Sequence, residues 1–237
     1  MRTLFVRTEN VHRLVAGLEE LQRNLAVMPG KGLAWVYGKQ GYGKTEATQW
    51  YAVQRHALYI RAYAVWSANW MLMEMAASLG LTPAGTSRGN LPQIREELYK
   101  RPRLVILDEA DYIIRKQEIL DTVRDLHDKT SSPFVLVGMA GSWEAVSRKS
   151  PPFGDRVSQV VEFTPLSATD VQVIAAELCD LKLTAEVAAQ IQRQAEGNFR
   201  KTVVLLSHVE TVRKANPDKE ITDKVVDLAA KKLRAAG

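Results

Sequence analysis

Eight consecutive residues constrain this chain more than any others: Gly38-Lys39-Gln40-Gly41-Tyr42-Gly43-Lys44-Thr45. They fit the pattern G-x-x-x-x-G-K-[ST]. They lie between a short apolar run, Leu33–Tyr37, and a helical pattern, Thr45–Ala57, which is the setting the pattern requires. The glycines let the backbone curl so that successive N–H groups point inward at phosphate oxygens. The helix that follows adds the positive end of its dipole. Lys44 is then placed to reach β- and γ-phosphates, and the Thr45 hydroxyl to ligate magnesium. Glu46, the next residue, closes the candidate nucleotide-binding segment.

A second feature supports the first. Leu104-Val-Ile-Leu107 is an apolar run that ends in Asp108 and Glu109. After a buried strand beside a phosphate loop, the first acid holds magnesium through Thr45 or water, and the second orients and polarises an attacking water. An acid pair there could also cap the next helix; the phosphate loop favours the catalytic reading. Asp111 reads as a solvated acid.

Apolar runs and helical patterns alternate along the first two-thirds of the chain, an α/β signature. Strands are expected at Leu33–Tyr37, Leu58–Ala64, Leu104–Leu107, Phe134–Val137 and Val157–Phe163. Helices are expected at Asn10–Leu25, Thr45–Ala57, Ala68–Leu79, Leu91–Lys100 and Glu118–His127. Thr82–Gly89 has the Pro, Gly and Ser content of a loop. Past Phe163 only helical patterns remain: Asp170–Asp180, Ala185–Glu196, Arg200–Ala215 and Thr222–Arg234. Ser167 or Thr169 can cap the first of them. The expected division is residues 1–165, an α/β nucleotide-binding domain, and 166–237, a helical domain.

Composition excludes several classes. The chain has 237 residues, 46% hydrophobic and 25% charged, ordinary values for a globular protein. Its single cysteine, Cys179, excludes an internal disulfide framework. No run approaches the roughly 18 apolar residues of a membrane span. The opening MRTLFVRTENVHR lacks a secretory apolar run. A cytoplasmic protein without a membrane partner is expected. The net charge is +5, and most of the excess lies from Gly197 onward, where nine Lys and Arg stand against five Asp and Glu. A basic end is compatible with a polyanion; the plainer reading is a solvated helical surface.

These motifs, in this order, resemble the AAA+ ATPases over nearly the whole chain. The resemblance implies a P-loop α/β domain with a five-stranded parallel sheet of order 5-1-4-3-2, followed by a small all-helical lid. It implies ATP and Mg2+ as ligands, with Thr45 and Asp108 on the metal. Gly197-Asn-Phe-Arg200 looks like the family's lid motif, which makes Arg200 the candidate γ-phosphate sensor. Gly154-Asp-Arg156, just before the last strand, fits the arginine finger that enters a neighbouring subunit's site; Arg148 is the rival. A finger supplied in trans requires a homo-oligomer, a ring or a helical filament. In one respect the chain departs from the family. The fourth strand of many members ends in a polar residue that helps hold the attacking water. Here Gly138 or Met139 occupies that place, and Ser142 is the nearest hydroxyl. Slow hydrolysis, or substitution by Ser142, is expected.

Within AAA+, the opening Val6–Val11, the loop from Tyr37, Leu107-Asp-Glu-Ala-Asp111 and Phe134–Met139 resemble the DNA-transposition type, which includes Mu transposition protein B, TniB-like and IstB-like proteins. Some members carry an N-terminal DNA-binding appendage. This chain opens almost directly on the core and is expected to lack it. The resemblance implies ATP-dependent assembly on duplex DNA, largely independent of sequence, and presentation of that DNA to a transposase that stimulates hydrolysis. Candidate DNA contacts are Arg148 and Lys149 in the Ser147–Pro152 loop, Arg115 and Lys116 after the acid pair, and the 67–90 region. Alternatives are a replication initiator or helicase loader, a nucleotide-gated scaffold with little hydrolysis, and a signalling ATPase without a DNA role.

Other residues have plainer readings. The four histidines, His12, His56, His127 and His208, lack ligand spacing. Trp66 and Trp70 are spaced to share a helix face and read as core. Cys179 reads as an inert apolar-face residue.

Overall fold

A computed structural model describes residues 1–2, 4–28, 30–216, 221, 225–227 and 229. In chain order the elements are α1 (Glu9–Val27), β1 (Leu33–Gly38), α2 (Lys44–Arg55), β2 (Leu58–Arg61), α3 (Ala68–Ser78), α4 (Ser87–Lys100), β3 (Val105–Asp108), α5 (Gln117–Thr130), β4 (Phe134–Met139), α6 (Ser142–Lys149), α7 (Pro151–Gly154), β5 (Val157–Phe163), α8 (Ala168–Cys179), α9 (Ala185–Gln194) and α10 (Phe199–Ala215). A 3-10 turn, Ala110–Tyr112, follows β3. Most of the expected helix Thr222–Arg234 lies outside the described residues.

The five strands form one parallel sheet of order β2-β3-β4-β1-β5, the expected 5-1-4-3-2 read from the other edge. The three inner strands have the sequences LAWVYG, VILD and FVLVGM, and nearly every residue in them is buried. Near-continuous apolar runs are what a parallel strand covered on both faces requires. The edge strands alternate instead: β2 exposes Arg61, and β5 ends exposed, buried, exposed, buried from Val160 to Phe163. The core beneath the sheet joins Trp35, Ile60, Met71, Ile94, Leu107, Leu120 and Phe134 with their neighbours.

The chain divides into two compact units. One holds residues 13–38 and 44–162; the other holds 1–12, 39–43 and 163–237. The first twelve residues were expected with the sheet. They group with the helices because Val6 is buried among Leu166, Ile174 and Leu205, Arg2 N–H donates to Leu178 O at 2.7 Å, and the Asn10 side chain bonds both backbone groups of Thr164.

Several boundaries differ from the sequence reading. β2 stops at Arg61, three residues early, because the chain turns at Tyr63–Trp66 and Lys116 Nζ donates to the carbonyls of Ala64 and Trp66. Trp66 therefore precedes α3 and is buried, while Trp70 on α3 is 44% exposed, so the two do not share a helix face. α4 starts at Ser87, inside the expected loop, since Thr86 caps it through Gly89 N–H. The Ser147–Pro152 loop is largely helical, divided between α6 and α7. Cys179 is buried, which pushes its thiol up in pKa.

Candidate nucleotide site

Parallel pairing sets the C-terminal ends of the strands side by side. Gly38 is in register with Met139, and Arg61 with Asp108. Ligands of open α/β sheets bind at this edge. Within the sheet unit the edge gathers Lys44, Thr45, Asp108, Glu109, Asp111, Tyr59, Arg61 and Met139.

Lys44, the first residue of α2, is buried, and its Nζ donates to Gly38 O at 2.7 Å. Burial lowers its pKa. The carboxylates of Asp108, Asp111, Glu109 and Glu46 oppose that shift without cancelling it. The result is a desolvated cation held ready for an anion. Thr45 Oγ1 donates to Asp108 Oδ2 at 2.9 Å. The same oxygen accepts from the Tyr59 hydroxyl at 2.5 Å, and Asp108 Oδ1 accepts from Glu109 N–H at 2.8 Å. The Tyr59 phenol is pushed far up in pKa, first by burial and then by its bond to Asp108. It therefore stays a donor.

Glu109 adopts φ 56° and ψ 41°. A non-glycine residue in the left-handed region carries backbone strain, and such residues cluster at functional sites. Its Oε1 pairs with Arg61 Nη2 at 3.0 Å, both side chains being partly exposed. Asp111 is not simply solvated, as the sequence reading had it. Its Oδ2 accepts from Met139 N–H at 2.8 Å.

The helical unit includes the phosphate-loop residues Lys39, Gln40, Gly41, Tyr42 and Gly43. The Asn198 side chain caps α10 and donates to Gln40 O at 2.9 Å. Gly41 has φ +80°, and a side chain there would meet the Asn198 amide. Glycine is required on both counts. Arg200 is an exposed residue in the first turn of α10, and its backbone N–H donates to Gly41 O at 3.2 Å.

Other expected site residues are engaged elsewhere. Arg156 pairs with Asp128 at 3.1 Å and donates to Pro152 O. Arg148 Nε donates to Glu144 O, and Lys149 Nζ to Arg115 O. Ser142 is buried, and its Oγ accepts from Trp35 Nε1 at 2.9 Å. Among the described residues, no group of three His, Cys, Asp or Glu could hold a metal ion.

Sequence reasoning missed Tyr59 and Arg61. Arg61 stands out only once β2 is known to pair with β3, where it lies beside Asp108. Nothing in the sequence marks the Tyr59 hydroxyl as aimed at the same carboxylate.

Fold and site together define a P-loop nucleotide-binding protein of the AAA+ type. The AAA domain family profile matches residues 27–146, half of the chain, and the chain belongs to that family. Over 110 residues it is 34% identical to the DNA transposition protein B of the Mu-like prophage FluMu in Haemophilus influenzae, a match covering 45% of this chain and 37% of that protein. Over 85 residues it is 31% identical to cell division control protein 18 of Schizosaccharomyces pombe, covering 35% of this chain and 15% of that one. The prophage protein bears out the resemblance to the transposition type. Among solved structures, the Aeropyrum pernix ORC2 protein in ADPNP–ADP complexes superposes with a TM-score of 0.71 at 18% identity, over 98% of this chain and 70% of that one. That likeness is one of fold. The aligned stretches span little more than a third of the prophage protein and under a sixth of the yeast protein.

Proposed function

We propose that this protein is an ATPase that assembles with ATP on duplex DNA and delivers that DNA to a transposase. The observation that carries the reading is its 34% identity to a DNA transposition protein B. The site chemistry supports the ATPase part.

Glycine-loop amides and Lys44 bind the triphosphate, with Lys44 exchanging its internal bond to Gly38 O for phosphate oxygens. Thr45 Oγ1 and Asp108 are hard oxygen donors 2.9 Å apart, a set that fits magnesium. They would hold the ion directly and through water, and bound magnesium supplies charge neutralisation on phosphate oxygens. Tyr59 keeps Asp108 oriented. Glu109 orients the attacking water once Arg61 releases it. Arg200 reports on the γ-phosphate from the start of α10. Arg156 acts on a neighbouring copy's site, which requires it to leave Asp128.

Assembly of many copies turns a weak basic surface into strong DNA binding by multivalency. Arg115 and Arg148 are the better candidates for that surface. Lys116 spends its ammonium on the Ala64 and Trp66 carbonyls, and Lys149 on Arg115 O.

The test is electron microscopy with duplex DNA, with and without a non-hydrolysable ATP analogue, followed by strand transfer with the cognate transposase. ATP-dependent assemblies that raise strand transfer are expected. Assemblies with no effect on strand transfer would favour the second reading, a replication initiator or helicase loader, which the stretch shared with cell division control protein 18 supports. Undetectable turnover with or without DNA would favour a nucleotide-gated scaffold, the option that the apolar Met139 at the end of β4 supports.

A further inference from the structure

Strand β4 ends on Met139, whose sulfur lies 3.9 Å from Lys44 Nζ. A thioether is a weak acceptor and cannot orient a water. The nearest hydroxyl, on Ser142, is buried and taken by Trp35. A carboxylate also reaches this strand end, that of Asp111. Its Oδ2 accepts the Met139 N–H at 2.8 Å and lies 3.4 Å from where a side chain on Gly138 would begin.

Asp111 belongs to the 3-10 turn that starts directly after Glu109. The turn is therefore fixed at two points. At one end Glu109 N–H donates to Asp108 Oδ1. At the other, Asp111 is tied to β4. The strained left-handed Glu109 sits between these anchors, and a strained conformation persists only where its surroundings over-determine it. Lys44 touches the same strand end through Met139.

We propose that Asp111 is a positioning residue for nucleotide hydrolysis: its bond to the Met139 amide sets Glu109 relative to Lys44, and so the attacking water relative to the γ-phosphate. This rests on the ATPase reading above. The tether, not the charge, is the operative element. Glu109 and Lys44 must be placed to within a fraction of an ångström, since a misplacement of about 1 Å costs on the order of a hundredfold in rate. Nucleotide binding itself depends on the glycine loop, Lys44 and Thr45, whereas the tether joins Asp111 to the Met139 backbone.

Three variants test this. Asp111→Asn keeps an acceptor oxygen for the Met139 amide and removes the charge. Asp111→Glu keeps the charge and, with one more methylene, displaces the tether. Asp111→Ala removes both. Steady-state turnover with duplex DNA, nucleotide affinity by calorimetry and hydrogen exchange at the Met139 amide are measured on each. Asp111→Ala is expected to lower kcat by about tenfold or more, with nucleotide affinity within about twofold of wild type and Met139 exchange accelerated. Asp111→Asn is expected to restore most of the turnover and the Met139 protection, whereas Asp111→Glu restores neither. Asn as poor as Ala, or Glu better than Asn, would overturn the proposal, as would unchanged kcat in Asp111→Ala. Should Asp111→Ala fail to fold, the order of Asn and Glu decides. Wild type that binds ATP but never hydrolyses it sinks the ATPase reading and this proposal together; an active wild type with indifferent variants sinks only the proposal.

Discussion

Lys44 is a buried cation, and burial outweighs the four carboxylates that favour its charge. Without an anion it destabilises the fold. Its folded pKa lies below the unfolded value of about 10.4, so between the two values the unfolded chain binds more protons and stability rises with pH. Below both values the full penalty is present. Lys44→Met, a volume-conserving change without charge, should therefore raise the nucleotide-free Tm at pH 7 by about 2–4 °C while abolishing ATP binding. The gap should narrow toward pH 10. Thermal melts at both pH values check this, and a variant less stable than wild type at pH 7 contradicts it. Arg61 has a different role, holding Glu109 through a partly exposed pair. Such pairs are worth about 0.2–1 kcal/mol, so Arg61→Ala should raise basal turnover by about 1.5- to fivefold, and Glu109→Gln should abolish turnover with ATP still bound. An Arg61→Ala enzyme slower than wild type would show that the pair orients Glu109 instead of restraining it. The grouping of Lys44, Thr45, Asp108 and Glu109 at one sheet edge could be read from the sequence, because phosphate chemistry calls for those residue types at that spacing. Tyr59, Arg61 and the bond of Asp111 to Met139 could not. Each depends on which strands become neighbours, and local pattern carries no record of that.

At the scale of elements, the inner strands could be read because burial on both faces writes an unbroken apolar run. The starts of two helices were less visible. The first turn of α4 was hidden by its Gly and Pro, although Thr86 caps it and the Asn90 side chain clamps Ala84 through both backbone groups. α6 was missed because it has only eight residues and no side-chain cap. The start of α8 shows what such a cap contributes. Ser167 Oγ accepts from Asp170 N–H, and Asp170 Oδ2 accepts from Ser167 N–H in return. Asp170 Oδ1 also accepts from Glu9 N–H at 2.8 Å, which caps α1 as well. Loss of an N-cap costs about 1 kcal/mol. Ser167→Ala should therefore lower Tm by about 2–4 °C, and Asp170→Ala, which strips bonds from two helix starts, should lower it further. Equal losses in the two variants would show that the Glu9 contact contributes nothing.

At the scale of the whole molecule, the question is how a protein with net charge +5 could hold DNA at all. One copy has few cations to set against phosphates, and several of its lysines and arginines already serve internal bonds. On the proposed reading, firm binding needs many copies on one duplex, assembled by ATP at the subunit boundary. Counterion release makes the DNA term strongly salt-dependent, with a log–log slope of about −0.9 per phosphate neutralised. Nucleotide bound at buried Lys44 would be screened far less. Raising salt from about 50 to about 200 mM should therefore weaken DNA retention by about a thousandfold or more for an assembly touching six or more phosphates. The affinity for a fluorescent ATP analogue should change only a few-fold. Both are read on the same samples, DNA by anisotropy and nucleotide by intensity. If the two affinities fell in parallel, salt would be dissociating the nucleotide first, and DNA binding would be a consequence of the nucleotide site alone, with no basic surface behind it.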